Sequence, residues 1–150
     1  MTSEQQRRVI AEASSWLGTP FHHRARVKGP RGGVDCAQFA IAVYSDAGII
    51  EPFDPEWYPP DWHLHQGLER YLSHVRAYAD SLKQDETWEV GDLLTFRFGP
   101  AQPVSHAGIY VGENMMIHAL YKVGVVKQDL DSRAFGRWFS GAWRLRNGVA

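Results

Sequence analysis

Residues 32–39 read Gly-Gly-Val-Asp-Cys-Ala-Gln-Phe, and they mark the point where a glycine-bearing loop turns into a segment with apolar residues at helical spacing. Asp35 and Gln38 have the spacing of a capping box, so we predict a helix whose first residue is Cys36, the only cysteine in the chain. A thiol there lies near unpaired backbone N–H groups and the positive end of the helix dipole, which favour the nucleophilic thiolate. Cys36 is therefore a candidate nucleophile; the alternative is a small buried apolar residue.

Length and composition limit the classes of protein that the chain can represent. A chain of 150 residues with 44% hydrophobic and 22% charged residues predicts one soluble globular domain over residues 1–150. The formal net charge of -1 gives no support for nucleic-acid binding through phosphate neutralisation. No apolar run is long enough to span a membrane, and the polar N-terminus does not resemble a secretory signal. We expect synthesis in the cytoplasm without a signal peptide.

The periodicity of apolar residues changes along the chain. Helical spacing predicts helices over residues 4–17, 36–48 and about 62–80, the first of them capped by Ser3 with Gln6. Residues 51–61 are rich in proline and aromatic residues and predict an ordered irregular arm. Alternation with period two then predicts strands over residues 92–98, 104–111, 115–120, 124–128 and 140–145. This order predicts an α+β fold, with N-terminal helices packed on a C-terminal antiparallel sheet of about five strands.

Two histidines fall on neighbouring predicted strands. If the strands around His106 and His118 form a hairpin through a three-residue loop at 112–114, residues an even number apart share a face. The two histidines are twelve residues apart, so they would be diagonal neighbours able to hydrogen-bond ring to ring. A two-residue turn would place them on opposite faces. If the second helix packs on the shared face, Cys36, His106 and His118 form a nucleophile, a base and an orienting group.

A basic loop precedes the cysteine. Between residues 21 and 34 the sequence has no periodicity and carries His22, His23, Arg24, Arg26, Lys28 and Arg31. A solvated loop is the favoured interpretation, and the alternative is a wall of the site that attracts an anionic substrate. His63 and His65 are two apart and would lie on different faces of a helix, so they do not indicate a metal site. We predict no metal and no other cofactor.

These residues resemble the NlpC/P60 superfamily of papain-like cysteine peptidases, which cut the peptide stems of bacterial cell wall. Five stretches in the family's order carry the resemblance: Trp16–Phe21, Val34–Ala37, Gly91–Leu94, Ser105–Val111 and Ile117–Ala119. A local resemblance at Tyr58–Trp62 is to the subset encoded in phage tail and gene-transfer-agent clusters.

The resemblance implies a papain-like fold and a role for each site residue. Cys36 would be the nucleophile, His106 the base and His118 the third, polar member of a triad that hydrolyses peptidoglycan stem peptides. Many members have Tyr where this chain has Phe21, so the hydroxyl thought to help the oxyanion is missing. The backbone N–H of Cys36 would remain as a donor, with His22 or His23 as a substitute and Asp35 as the cap. The candidate substrate-binding residues are Arg24, Arg26, Arg31, Trp57, Tyr58 and Trp62.

Two other classes remain open at this stage. One is a papain-like acyltransferase or lipid amidase with the same cysteine and histidine, for which a greasy tunnel would be the sign. The other is a catalytically weakened protein that keeps the fold to assemble a phage tail tip, and the missing hydroxyl at Phe21 favours it. For an active enzyme, the phage-like subset implies delivery to the cell wall by a virion or phage-like particle, with tail proteins as partners. Intracellular recycling of wall fragments is the competing setting.

Overall fold

A computed structural model describes residues 1–55 and 70–146 of the chain. Four helices and eight strands lie in these two ranges. In chain order they are α1 (Ser3–Ser15), β1 (Arg26–Val27), β2 (Gly33–Val34), α2 (Cys36–Asp46), α3 (Arg70–Tyr78), β3 (Ala79–Ser81), β4 (Leu93–Phe96), β5 (His106–Gly112), β6 (Met115–Leu120), β7 (Gly124–Asp129), α4 (Arg133–Trp138) and β8 (Phe139–Leu145). No helix in the described ranges has the length and apolar character that crossing a membrane requires.

Side-chain caps fix the first residues of α1 and α2. Thr2 and Gln5 form a complete capping box on α1, so the predicted Ser3 cap was wrong by one residue. Asp35 caps α2 as predicted, accepting from the backbone N–H of Gln38 at 2.9 Å. The Gln38 side chain does not complete that box, because its Oε1 accepts from Nε of Arg26 at 2.8 Å instead. The predicted start of α2 at Cys36 is thus confirmed.

The sheet confirms the predicted antiparallel α+β architecture and corrects the number of strands. It has six strands in the order β3-β8-β4-β5-β6-β7, and every neighbouring pair is antiparallel. The additional strand is β3, Ala79–Ser81, which pairs with the final strand where we predicted the end of a helix. The described part of that helix is α3, and the earlier part of the prediction lies outside the described residues.

The two faces of the sheet bury different clusters. Apolar residues of α2, including Phe39 and Val43, pack with Ile109 and Ile117 in the larger cluster. Leu94, Phe96, Met116, Phe135 and Ala142 form the second cluster, to which α4 contributes Phe135. Since side chains alternate along a strand, even-numbered residues of β5 and β6 face this second cluster. Both faces are therefore covered.

The basic loop contains structure that its sequence did not indicate. Arg26 pairs with Val34 and Val27 with Gly33, so a short antiparallel ribbon leads directly into α2. A Cβ on Gly32 would lie 1.8 Å from the carbonyl oxygen of Val27, so only glycine fits there. The ribbon fixes the chain immediately before Asp35 and Cys36. The prediction of an entirely irregular loop was wrong in this part.

Asp92 anchors the start of β4 through a buried ion pair. Its carboxylate is 2% exposed and accepts from Nε and Nη2 of Arg144 at 3.0 and 2.9 Å, and from the Glu89 backbone N–H at 2.8 Å. We expect Asp92→Ala to lower the free energy of unfolding by about 2–4 kcal/mol, because it removes the buried acceptor of a backbone N–H and of two Arg144 nitrogens.

Urea denaturation of Asp92→Ala and a matched variant measures this effect. The control is Asp80→Ala, whose side chain is 71% exposed and bonds Arg146 at 2.7 Å; an exposed pair contributes about 0–1 kcal/mol. Equal destabilisation by the two variants would contradict the structural role given to Asp92.

Candidate active site

The Cys36 thiol lies against the main chain that carries His106. Its Sγ is 3.6 Å from the carbonyl oxygen of Ser105, and the backbone N–H of Ala107 also bonds to the sulfur. These are the residues on either side of His106, at the first residue of β5. Within residues 1–55 and 70–146, the thiol's hydrogen bond goes to this carbonyl and not to a ring nitrogen of His106.

The charge state of the thiol differs from the sequence prediction. Burial, followed by the charge of Asp35, raises the pKa of the Cys36 thiol to about 12. The backbone N–H groups of Ala107, Ala37 and Cys36 lower this pKa, but they do not outweigh burial and the cap. The expectation of an acidic thiol at the helix N-terminus was therefore wrong in direction. The thiol is protonated at neutral pH.

The two histidines form the predicted ring-to-ring hydrogen bond, but the hairpin that brings them together has a different turn from the predicted one. Nε2 of His106 and Nδ1 of His118 are 2.7 Å apart. The hairpin turns through only two residues, Glu113 and Asn114, both with positive φ. A bulge between Tyr110 and Gly112 shifts the register by one and restores the shared face. The three-residue loop was therefore wrong, whereas the pairing that depended on it is correct.

The face that the histidines share is not the one on which α2 packs. His106 pairs with Phe96, and its ring lies 5.9 Å from that ring, so it faces the second cluster. His118 is fully buried against Phe135, at 5.0 Å between ring centroids. The sequence argument brought the three residues together on the condition that α2 packs on this face, and that condition is not met. Cys36 instead reaches the site at the start of β5, from the N-terminal end of its helix.

Burial sets the charge state of both imidazoles. Burial, and then the neighbouring His118, holds the pKa of His106 well below 6.5, and burial lowers the pKa of His118 to about 4. Both rings are therefore neutral at neutral pH, beside a protonated thiol. Gly108 leaves room for this pair, because a Cβ there would lie 2.5 Å from Sδ of Met116 and 3.2 Å from Cβ of His118.

Three phenylalanines that were not predicted as site residues lie against the imidazoles. Phe96 and Phe98 have ring centroids 5.9 and 5.4 Å from that of His106, and Phe98 is 45% exposed. Their period-two spacing in the predicted strand could have signalled a shared face. Phe135 belongs to α4, which was not predicted.

The predicted supporting residues of the basic loop contact the helix cap. Asp35 Oδ2 accepts from the backbone N–H of Arg24 at 2.7 Å and lies 3.9 Å from Nδ1 of His23. His22 packs against Gly33, where a Cβ would lie 2.5 Å from its ring. These contacts place His22 and His23 beside the ribbon and the cap, and a donor role for either toward a substrate stays a prediction.

The basic residues divide into two groups. Arg24 and Arg26 line a cleft of about 460 Å³ with Gln38, Pro52, Phe53 and Asp54. Arg31 is exposed in the turn of the ribbon, and Lys28 binds Glu12 on α1 at 3.3 Å. Only the first two are thus brought together near the first turn of α2.

Of the aromatic residues predicted to belong to the site, only Phe21 lies within the described residues. Phe21 packs edge-to-face on Tyr121 at 5.4 Å, forms a backbone bridge with Val34 and packs against the main core. Trp57, Tyr58 and Trp62, predicted to flank the groove, lie outside the described residues, as do His63 and His65. In the described ranges, no three His, Cys, Asp or Glu side chains are grouped so as to hold a metal ion.

Burial of neutral His118 makes stability depend on pH. The unfolded chain protonates this ring below about pH 6.5, whereas the folded protein resists protonation until about pH 4. The unfolded state therefore binds more protons in this window, so stability falls as pH falls from about 6.5 to 4, by about 3 kcal/mol from this group.

Urea denaturation between pH 7 and 4.5 tests this dependence. His118→Gln is expected to show a shallower loss of stability toward acid than the wild type. His74→Gln removes an exposed histidine and serves as the matched control, with the wild-type slope. Parallel curves for all three proteins would contradict the assignment.

Comparisons with known proteins relate the chain to others by sequence and by fold. Over 135 residues the chain is 29% identical to the probable endopeptidase NlpC of Escherichia coli (strain K12), covering 90% of this chain and 73% of that protein. A lipoprotein-like NLP/P60-family structure from Staphylococcus aureus Mu50 has a TM-score of 0.67 at 22% identity and covers 99% of this chain, which spans 43% of that one. The NlpC/p60 domain of the peptidoglycan hydrolase SagA has a TM-score of 0.57 at 24% identity, covering 93% of this chain and 98% of that one.

The fold and the site define an α+β protein in which a cysteine at a helix N-terminus lies against the main chain that carries one of two hydrogen-bonded histidines. The chain belongs to the NlpC/P60 family, whose profile matches residues 18–144. The resemblance drawn from the sequence motifs is therefore confirmed at the level of the family and its fold.

Proposed function

We propose that the protein is a cysteine endopeptidase that hydrolyses amide bonds in peptidoglycan stem peptides through Cys36, His106 and His118. The observation that carries the proposal is the thiol held against the residues flanking His106, whose ring is bonded to His118 at 2.7 Å. The similar proteins named as probable endopeptidases support the reaction class. The description of SagA as a peptidoglycan hydrolase supports the substrate class.

The charge states favour general-base activation over a preformed ion pair. With the Cys36 pKa raised to about 12 and the His106 pKa lowered, the thiol and the base are both neutral. The sulfur turns from the Ser105 carbonyl toward the imidazole when substrate binds, and His106 takes the thiol proton as sulfur attacks the carbonyl carbon. His118 accepts from Nε2–H of His106 and leaves Nδ1 free to act as the base.

The remaining steps pass the same proton onward. Collapse of the tetrahedral intermediate breaks the C–N bond, and His106 gives its proton to the leaving amine, which leaves a thioester on Cys36. His106 then takes a proton from water, which attacks the thioester and releases the carboxylic acid and the thiol. The backbone N–H of Cys36 is the proposed oxyanion donor, since Phe21 offers no hydroxyl.

The polar cleft beside α2 is the proposed seat of a substrate carboxylate. Stem peptides carry carboxylates, and the guanidinium of Arg26 is oriented toward this cleft by Gln38 Oε1 and the Phe53 carbonyl. By family resemblance, the scissile bond joins D-glutamate to a diamino acid or lies nearby. Arg31 stays a predicted contact only, because it is exposed in the ribbon turn.

Digestion of a defined stem peptide tests the proposed function. Purified protein is incubated with an L-Ala-γ-D-Glu-diamino acid peptide, and the products are identified by mass spectrometry. We expect two fragments whose masses sum to that of the peptide plus water, and a thioester on Cys36 after rapid acid quenching. If the protein cleaves no more peptide than the heat-inactivated control, the proposal is wrong.

Substitution of Arg26 tests the carboxylate site. We expect Arg26→Gln to raise KM for the stem peptide about tenfold, because charge-assisted hydrogen bonds to the carboxylate are lost. The effect should disappear with a peptide whose carboxylate is amidated. Arg7→Gln, which removes an exposed arginine on α1, is the matched control and should leave KM unchanged; an equal rise in both variants would mean only a general effect of charge.

The two alternative classes gain less support. The apolar cavity beside Ala37 has a volume of about 80 Å³ within the described residues, which gives no indication of the greasy tunnel expected of a lipid amidase. A lipid amidase would cleave an N-acyl amide in the same assay format. A non-catalytic assembly protein would cleave neither substrate.

The phage-like setting rests on the motif at Tyr58–Trp62, which lies outside the described residues. In that setting the enzyme is carried by a virion or phage-like particle, with tail proteins as partners, and opens the wall locally. Recovery of the protein in purified particles, rather than only in the cytoplasmic fraction, tests it.

A further inference from the structure

The distal nitrogen of the second histidine is buried without a hydrogen-bond partner. His118 is 0% exposed, and its Nδ1 bonds to Nε2 of His106 at 2.7 Å. Its other nitrogen, Nε2, has no hydrogen-bond partner within the described residues. A buried N–H or ring lone pair is costly to leave unpaired, so this atom needs an explanation.

A count of protons shows why this nitrogen matters for the proposed reaction. Each neutral ring carries one proton, and one of these lies between the two rings. If it belongs to His106, Nδ1 of His106 is a free base and His118 must carry its own proton on Nε2. If it belongs to His118, then Nδ1 of His106 is protonated and cannot accept from a thiol. The environment of His118 Nε2 therefore selects between a competent and an incompetent base.

The ring beside His118 is Phe135. The ring centroids are 5.0 Å apart and the ring planes are at 89°. The face of an aromatic ring is negative, so it attracts an N–H and repels a lone pair. We propose that the face of Phe135 accepts the Nε2–H of His118 and so fixes the proton between the rings on His106; its catalytic consequence rests on the proposed function.

The surroundings hold Phe135 in this place. Phe135 is 7% exposed and meets Phe96 edge-to-face at 5.6 Å, in the cluster that also contains Met116. Its backbone N–H bonds to the Ser132 carbonyl at 3.2 Å in the first turn of α4. The ring thus packs from the side of the sheet opposite α2, and we assign it a positioning role through His118.

Imidazole nitrogen resonances provide the test. In protein labelled with ¹⁵N-histidine, long-range correlation spectra report which ring nitrogens carry protons. We expect His106 and His118 each to be protonated on Nε2 in the wild type, with the Hε2 resonance of His118 shifted upfield by the aromatic face. Protonation of His118 on Nδ1, or a contact of Hε2 with water instead of the Phe135 ring, would overturn the inference.

Variants separate the aromatic face from simple packing. Phe135→Leu is expected to remove the upfield shift and to move the tautomer ratio about two- to fivefold toward the incompetent form. Since kcat follows the fraction of molecules with the competent tautomer, it should fall by less than the ratio changes, with little change in KM. Phe39→Leu takes a similar volume from the main core and should leave the histidine spectra unchanged. Unaltered spectra in Phe135→Leu would contradict the proposal.

The histidine spectra do not depend on whether the protein hydrolyses a peptide. If Phe135→Leu does not fold, the wild-type spectrum alone decides between the two tautomers. A protein that shows the expected tautomers but cleaves no stem peptide would refute the proposed function and leave the proton arrangement intact.

Discussion

Cys36→Ala is expected to reduce kcat/KM for a stem peptide by about 10⁴- to 10⁶-fold, because removal of a catalytic nucleophile leaves only binding and oxyanion stabilisation. The substitution removes one sulfur atom at the first residue of α2. The Asp35 cap depends on the backbone of Gln38 and is unaffected. The loss should therefore come without a loss of folded structure.

The measurement uses the digestion assay with thermal unfolding of the same samples. Cys36→Ser keeps an oxygen nucleophile that is harder to deprotonate, and we expect it to lie far below the wild type but to retain the fold. Ser14→Ala on α1 is a control for an unrelated hydroxyl, with full activity expected. If Cys36→Ala cleaves the peptide as fast as the wild type, the peptidase proposal is wrong.

The residues that fix local geometry were readable from the sequence. Asp35 three residues before Gln38, followed by apolar residues at helical spacing, placed the start of α2 at Cys36. The change of period after residue 80 placed β4 to β8 to within a few residues. Strand β3 was missed because Ala79–Ser81 is short and directly follows a helix, where no change of period can be detected.

The pairing of the histidines shows how a wrong detail can leave a correct conclusion. The two histidines share a face only if an odd number of residues separates the paired positions of the two strands. We predicted that all of these residues belong to the loop. The chain instead uses a two-residue turn at Glu113–Asn114 with a bulge between Tyr110 and Gly112. A bulge leaves little trace in a single sequence. The sequence could therefore indicate only the combined number of residues in the turn and the bulge, and not how they are divided.

Two other properties depend on packing that sequence alone does not contain. Leu93 and Leu94 are both buried, so both faces of the sheet read as apolar, and the pattern could not tell which one α2 covers. The helix N-terminus suggested an acidic thiol, but burial and the charge of Asp35 act in the opposite direction. Burial of one side chain is a result of the whole fold.

His106→Ala is expected to lower kcat/KM at pH 7 by about 10²- to 10⁴-fold, the usual contribution of a general base. The remaining activity should depend on the small fraction of Cys36 thiolate. Since burial raises the pKa of this thiol to about 12, the thiolate fraction rises about tenfold per pH unit through the measurable range. The activity of the variant should therefore rise with pH from 7 to 10 without a plateau.

The wild type should behave differently over the same range. The lowered pKa of His106 keeps the ring neutral from well below pH 6.5 upward, so its activity should be nearly flat near neutral pH. The ratio of wild-type to variant activity should then shrink as pH rises, and added imidazole should restore part of the loss at pH 7. His74→Ala, with an exposed histidine removed, is the control and should follow the wild type.

Alkylation of Cys36 by iodoacetamide gives the same information without a peptide substrate. The rate for His106→Ala should climb through pH 10, because the thiol stays protonated. A plateau above about pH 9 would indicate an ordinary thiol, with a pKa of about 8.5, and would remove the argument for proton transfer at the moment of attack. A constant ratio of wild-type to variant activity at every pH would instead mean that His106 acts by holding the site together and not as a base.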